Sequence, residues 1–177
     1  VSIFRADVRP KNAGGKTELD VVLVTGNMIE TKSPMEARFK VYPARITEEN
    51  LTSRSARDIA DLDKSIPVQV APEAVVELSG QPFAASAFTL VCPALAPWEL
   101  RKPNLYVLEA QLVRHGKVVD TFYTQFGIRT VAVDTTRVRV NGRPAFLRGV
   151  AVHETFPGSD PSQPPSIEEI QRRDFQN

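Results

Sequence analysis

The chain has 177 residues, and its 22 Lys plus Arg against 21 Asp plus Glu leave a net charge of +1. That balance gives no electrostatic reason to expect nucleic acid or an anionic membrane as a partner. One cysteine, Cys92, excludes an intrachain disulfide framework. No apolar run approaches the roughly 20 residues that a membrane-spanning helix needs.

Period-two alternation, the mark of strands with one face on a core, dominates the first three quarters of the chain. Residues 3–9 predict a first strand that Pro10 closes, and Asn12-Ala13-Gly14-Gly15 predicts a turn. Residues 18–25 contain Val21-Val22-Leu23-Val24, the nearly continuous apolar run of a central strand. In residues 35–42, Met35, Ala37, Phe39 and Val41 alternate with Glu36, Arg38, Lys40 and Tyr42, and Pro43 ends the pattern. Residues 44–66 are rich in Arg, Asp, Glu and Ser and read as an exposed insertion carrying one helical turn around residues 56–62.

Strand character resumes over residues 67–78, where Pro72 argues for an edge position or a bulge. Residues 83–92 follow, with Phe88, Leu90 and Cys92 on one side. On an apolar strand, Cys92 reads as a small core residue and not as a nucleophile. Residues 105–114 set Tyr106, Leu108, Ala110 and Leu112 against Val107, Glu109, Gln111 and Val113, and His115-Gly116 turns the chain back into residues 118–126. About seven short strands between Pro and Gly turns, with no amphipathic helix among them, predict an all-β fold. The specific expectation is an immunoglobulin-like antiparallel β-sandwich over residues 1–134.

Residues 135–177 read differently. A short hairpin turns at Asn141-Gly142, an irregular stretch follows, and Ser166 with Glu169 forms a capping box opening a helix over residues 167–175. A start at Val1 without an initiator Met and a stop inside that helix lead to the expectation of a piece of a longer protein.

Several clusters in the second half resemble glycoside hydrolase family 2, the β-galactosidase and β-glucuronidase family. They are Trp98 with Pro103-Asn104-Leu105-Tyr106, then Asp120 with Phe126-Gly127-Ile128-Arg129, then Asn141-Gly142-Arg143-Pro144. Leu147-Arg148-Gly149-Val150, His153-Glu154 and Asp174 complete the series in the family's order. Residues 1–97 match by strand pattern only. The resemblance implies that the sandwich precedes a (β/α)8 catalytic barrel, and that residues 135–177 are the barrel's first segment.

For such a parent the resemblance implies a retaining glycosidase, most simply one acting on terminal β-galactosides, with two catalytic glutamates on later barrel strands. That chemistry requires two carboxyls about 5–5.5 Å apart in different protonation states. Neither strand falls within these residues, so the expectation is no catalytic residue here and a fragment inactive alone. His153 and Glu154 are the candidate substrate-binding residues, reaching the edge of the sugar pocket; the alternative is that they merely order the following loop. Ala151 stands where the family usually has Asn, which puts the exact sugar in doubt. Arg129 and Arg148 are candidate domain-interface residues; for Arg129 a solvated strand-end arginine is the alternative.

Trp98 and Tyr106 read as core aromatics rather than sugar-stacking rings. No cofactor and no metal site are expected, the latter because the chain holds two histidines and one cysteine. The implied partners are a β-glycoside, bound through the parent's barrel, and the barrel itself; a homo-oligomeric parent, bacterial and either cytoplasmic or periplasmic, is compatible. Two readings from other classes stay open. A freestanding binding or adhesion module leaves residues 135–177 without a purpose, and a carbohydrate-binding module asks for exposed aromatics where only 7% of residues are aromatic.

Overall fold

A computed structural model of the chain describes residues 1–26, 34–45, 55–70, 74–77 and 82–146. The chain divides into two compact units, Val1–Ala145 and Phe146–Asn177. The helix expected over residues 167–175 lies outside the described residues, as does Pro72.

The first unit is all-β among the described residues, and every strand pairing is antiparallel. Four strands form one sheet in the order β1-β2-β6-β4: β1 (Ser2–Ala13), β2 (Lys16–Gly26), β6 (Phe83–Pro93) and β4 (Gln69–Val70). The second sheet has the order β5-β3-β7-β8: β5 (Val75–Val76), β3 (Met35–Pro43), β7 (Tyr106–Arg114) and β8 (Lys117–Phe126). A small third sheet, β11-β10-β9, is made of β11 (Arg143–Ala145), β10 (Val138–Val140) and β9 (Val131–Val133). Thus β9, before Asp134, pairs with β10 after it.

The core lies between the two four-stranded sheets, as alternation demands. Leu19, Val21 and Leu23 of β2 meet Leu90 and Phe88 of β6 and Leu108, Ala110 and Leu112 of β7 in one cluster with Phe39 and Val41 of β3. Each fully buried Leu or Val contributes about 2 kcal/mol of apolar transfer free energy. Cys92 belongs to this cluster and is 1% exposed. Burial pushes its thiol up to about 11, so the unreactive protonated form prevails at neutral pH. Two buried threonines are satisfied: Thr17 Oγ1 accepts from the Leu95 amide at 3.0 Å, and Thr25 donates to the Ala84 carbonyl at 3.4 Å.

Two expectations are corrected. Pro10 does not close the first strand; β1 runs on to Ala13 with Pro10 opposite Leu19. The strand lies at the edge of its sheet, where a residue without an N–H breaks no ladder. Residues 55–66 are not simply an exposed loop with a helical turn. They form turns that bridge to the end of β3, through Ala44 with Ala60 and Val41 with Ile66, and Ile59 is 7% exposed. Of the few apolar residues of this segment, Ile59 is buried and Ile66 packs against the inter-sheet core, whereas Leu62 is exposed. Within the expected strand over residues 67–78, β4 and β5 are separate two-residue strands, each at an edge of a different sheet.

Both sheets have an open edge on the same side, β1 in one and β8 in the other. Each is irregular there, β1 between Ile3 and Arg5 and the β7–β8 ladder between Leu112 and Val113. Beside these irregularities the Asp120 carboxylate accepts from the Ile3 amide at 2.6 Å and from the Thr121 amide at 2.9 Å. A charge-assisted bond thus ties the two sheets together at edges that bulges make unsuitable for further strand pairing. The His115-Gly116 turn has φ of 48° and 75°, the paired positive values of a tight hairpin turn whose twist matches that of its strands.

Candidate domain-interface site

Of the residues singled out as interface or substrate-binding candidates, Arg129 is described, while Arg148, His153 and Glu154 lie outside the described residues. Arg129 is exposed at the end of the sandwich, with its guanidinium carbon 5.2 Å from the centroid of the Trp98 ring. A cation over an indole face is worth roughly 0.5–1 kcal/mol at an exposed site. One face of Trp98 is covered by arginine, and the ring is half-buried outside the inter-sheet cluster, unlike the core aromatic expected. Tyr106 does follow the core reading: it is 8% exposed, packs against Phe126 and donates its hydroxyl to the Ala96 carbonyl at 3.3 Å.

The loop carrying Trp98 is held from three directions. The Trp98 amide donates to the Ile128 carbonyl at 2.9 Å, and Asn104 Nδ2 donates to the Pro97 carbonyl at 2.8 Å. Gly127 sits so close that a Cβ there would lie 3.0 Å from the Leu105 side chain and 3.4 Å from Trp98. A side chain at that position would push the Leu105 side chain back by a few tenths of an ångström, and the constraint is one of space and not of φ.

The third hold comes from a residue that sequence reasoning treated only as half of a turn. Asn141 has a φ of 50° and Gly142 of 75°, so the Asn-Gly hairpin turn forms as expected. Its side chain does more. Asn141 Nδ2 donates to the Trp98 carbonyl at 2.7 Å, its Oδ1 accepts from the Thr130 amide at 2.9 Å, and its own amide donates to the Thr130 carbonyl at 2.9 Å. One asparagine thus pins the third sheet to the strand leaving the sandwich and to the Trp98 loop together. No spacing in the sequence signals this, because Asn-Gly is equally good as a free turn.

Asp134 orders the chain between β9 and β10. Its carboxylate accepts from the Thr136 and Arg137 amides at 3.1 and 2.9 Å and from Arg139 Nε at 2.9 Å. The Thr136 amide, followed by Arg139, holds that carboxyl below the usual range.

Between the 97–101 loop and the hairpin runs a groove of about 440 Å³ lined by Pro97, Leu100 and Val140 with Glu99, Arg101 and Arg143 at hand. Leu100 is 54% exposed. The residues present suit packing and ion pairing against a polypeptide. Among the described residues no group of three or more His, Cys, Asp or Glu is placed to hold a metal.

One more cluster escaped the sequence reading. Glu109, on β7, is 4% exposed, although its strand position faces away from the core. Its carboxylate accepts from Tyr42 Oη at 3.3 Å and Gln111 Nε2 at 2.8 Å, takes a hydrogen bond from Tyr123, and lies 3.8 Å from Lys40 Nζ. Burial first, then the Glu109 charge, pushes the Tyr42 hydroxyl up to about 12. Tyr42 and Gln111 donate to the Glu109 carboxylate, and Lys40 brings a positive charge beside it.

Comparison with known proteins follows the same lines. A family model described as Glycosyl hydrolases family 2 matches residues 3–129. A β-galactosidase of Thermoanaerobacter pseudethanolicus is 33% identical over 78 residues, covering 44% of this chain and 10% of that protein. A β-glucuronidase of Paenibacillus borealis is 36% identical over 58 residues, covering 32% of this chain and 10% of that protein. A solved glycosyl hydrolase family 2 member from Bacteroides cellulosilyticus superposes with a TM-score of 0.65 at 19% identity, over 84% of this chain and 18% of that one. The chain therefore spans about a tenth of each of these two curated relatives. With a family model that matches residues 3–129, most of its length, this chain belongs to glycosyl hydrolase family 2.

Proposed function

We propose that this chain is a non-catalytic supporting sandwich of a retaining β-glycosidase, joined through its third sheet to a (β/α)8 catalytic barrel that supplies both glutamates. The observation that carries the reading is the Asn141 joint. Three hydrogen bonds spent on fixing a short hairpin against the end of the sandwich make sense where that hairpin sets the direction of a following domain. In this reading residues 1–134 are the sandwich and residues 135–177 open the barrel. Arg129 and Arg148 brace the junction, and His153 and Glu154 reach the rim of the sugar pocket.

A terminal β-galactoside is the first substrate class, supported by the Thermoanaerobacter relative. A β-glucuronide is the second, supported by the higher local identity to the Paenibacillus relative. The test is turnover of nitrophenyl β-galactoside and β-glucuronide, first by the pure 177-residue chain and then by the same chain extended through the rest of its gene. The short chain is expected to match the blank on both substrates and the extended chain to cleave one of them. Turnover by the short chain, or none by the extended one, would sink the proposal.

A further inference from the structure

The outward face of the β1–β2–β6 sheet carries two phenylalanines that the fold leaves in water. Phe4 and Phe83 are 66% and 57% exposed, and their rings meet with centroids 5.3 Å apart and planes at 63°. The other ring pairs among the described residues, Phe39 with Phe88 and Tyr106 with Phe126, belong to the core. Phe4 and Phe83 come from strands that are not neighbours, since β2 runs between them. The backbone brings them together. The register shift between Ile3 and Arg5 leaves Phe4 as the extra residue of a bulge, a device that re-aims a side chain. Gly26 stands opposite both Ser2 and Phe83, and a Cβ there would touch Phe83 Cε1 at 3.5 Å, so the ring lies over the β2 backbone.

Beyond the rings the face is a floor of short side chains. Val24 pairs with Ala85 and Val22 with Ala87, and both alanines are exposed. On β1, Arg5 stands opposite Val24 and Asp7 opposite Val22, joined by an ion pair of 3.0 Å. At the far end Asp20 is held by Lys11 and Thr89, beside a hollow of about 300 Å³.

We infer that this face binds a short, uncharged, β-linked oligosaccharide, with the Phe4–Phe83 corner seating the C–H face of one sugar ring and the Arg5–Asp7 pair meeting its hydroxyls. Charge selects an uncharged ligand: Arg5 is already paired with Asp7 and Lys11 with Asp20, so a charged partner gains little at this rim. Size argues against a second copy of the chain. Three strands about 4.8 Å apart and the run from Phe83 to Ala87 give an apolar area of roughly 10 by 14 Å, far below the ~800 Å² per partner of a stable protein interface. A β-linked pyranose fits what remains. Its axial C–H bonds form an apolar face that dries an aromatic ring, while its equatorial hydroxyls reach the polar groups around it. The site lies wholly within the sandwich, and its ligand is bound without being cleaved there.

The test is a titration of the 177-residue chain with β-1,4-galactotetraose and with cellotetraose, read as amide and phenylalanine-ring NMR shifts. At least one sugar is expected to give saturable shifts in the millimolar range at Phe4, Val24, Phe83 and Ala85, with the β3–β7–β8 face unmoved. Phe4→Ala and Phe83→Ala are expected to keep the wild-type fold, because both rings are mostly in water already. Each is expected to weaken binding about tenfold, and Arg5→Gln by a smaller factor. No saturable shift with either sugar would overturn the inference, as would shifts centred on another face or binding undiminished in both phenylalanine variants. Self-association of the sugar-free chain that the same two substitutions abolish would also overturn it, giving the face to a second copy. No turnover enters the measurement, so its failure and that of the barrel reading are told apart.

Discussion

The two outer faces of the sandwich differ more than their sequences do. Across the β1–β2–β6 sheet, the outward row holds Phe4, Val24, Phe83 and Ala85, and Phe4 and Phe83 are 66% and 57% exposed. They touch each other edge to face, with ring centroids 5.3 Å apart. Across the β3–β7–β8 sheet, the outward residues Tyr42, Val107, Glu109 and Val113 are withdrawn from water, Tyr123 is half-buried, and Glu36, Arg38, Lys40 and Gln125 are exposed. The more apolar face is the wetter one. Alternation settles which way a side chain points; what lies on top of it is settled elsewhere in the chain.

Substitutions of one chemical type on different faces turn this contrast into numbers. Leu108→Ala, between the sheets, is expected to cost about 3 kcal/mol in urea unfolding, the usual range for a fully buried leucine. Val107→Ala, one residue away on the outward face, is expected to cost about 2 kcal/mol, because that face too is a packed layer. A loss near zero for Val107→Ala would break the comparison. Asn141→Gly keeps the left-handed turn and removes both side-chain bonds to the Trp98 loop and Thr130, for an expected loss of about 1–2 kcal/mol. The loss should be concentrated in faster exchange of the Thr130 amide. Phe83→Ala is expected to shift stability by less than about 0.5 kcal/mol, since most of its ring is already in water.

Most of the sandwich was legible in the sequence, because burial between two sheets imposes period two and little else does. Phe88, Leu90 and Cys92 proved to be core residues on that ground alone. The continuous run Val21 to Val24 marked a strand that is central in its ladder but buried on one side only, with Val22 and Val24 partly exposed. The covered outer face was half legible. Val107 and Val113 stood at positions alternation assigned to solvent, and an apolar residue repeated there is a sign that something covers it. The pairing of residues 59–66 with the end of β3 was harder to see, because a segment with one buried isoleucine has no periodicity. The joint was the least legible part: the turn at Asn141-Gly142 follows from backbone conformation, whereas the destination of the Asn141 amide group depends on a loop 43 residues earlier in the chain.

The covered face also has a pH signature. Burial, then the charge of Glu109 and the bond to it, pushes Tyr42 up to about 12 from an ordinary 10.0. Burial raises Tyr123 as well, with Glu109 adding to the effect and Arg57 opposing it. Tyrosines whose folded pKa lies above the unfolded value contribute stability that is whole below pH 10. That stability is lost as the pH climbs from 10 through about 12. Tyr42→Phe is expected to flatten this alkaline decline of the melting temperature.

The most direct test of a packed layer on both sides of the second sheet is a spectrophotometric titration of the native chain at the phenolate absorption band. The protein has three tyrosines, Tyr42, Tyr106 and Tyr123, and burial raises all of them. The structure predicts that well under half of the phenolate signal has developed at pH 10, with the remainder rising toward pH 12 and into alkaline unfolding. Two of three tyrosines ionising reversibly around pH 10 in the folded protein would show Tyr42 and Tyr123 open to water, and would contradict the packed layer on the outer side of this sheet.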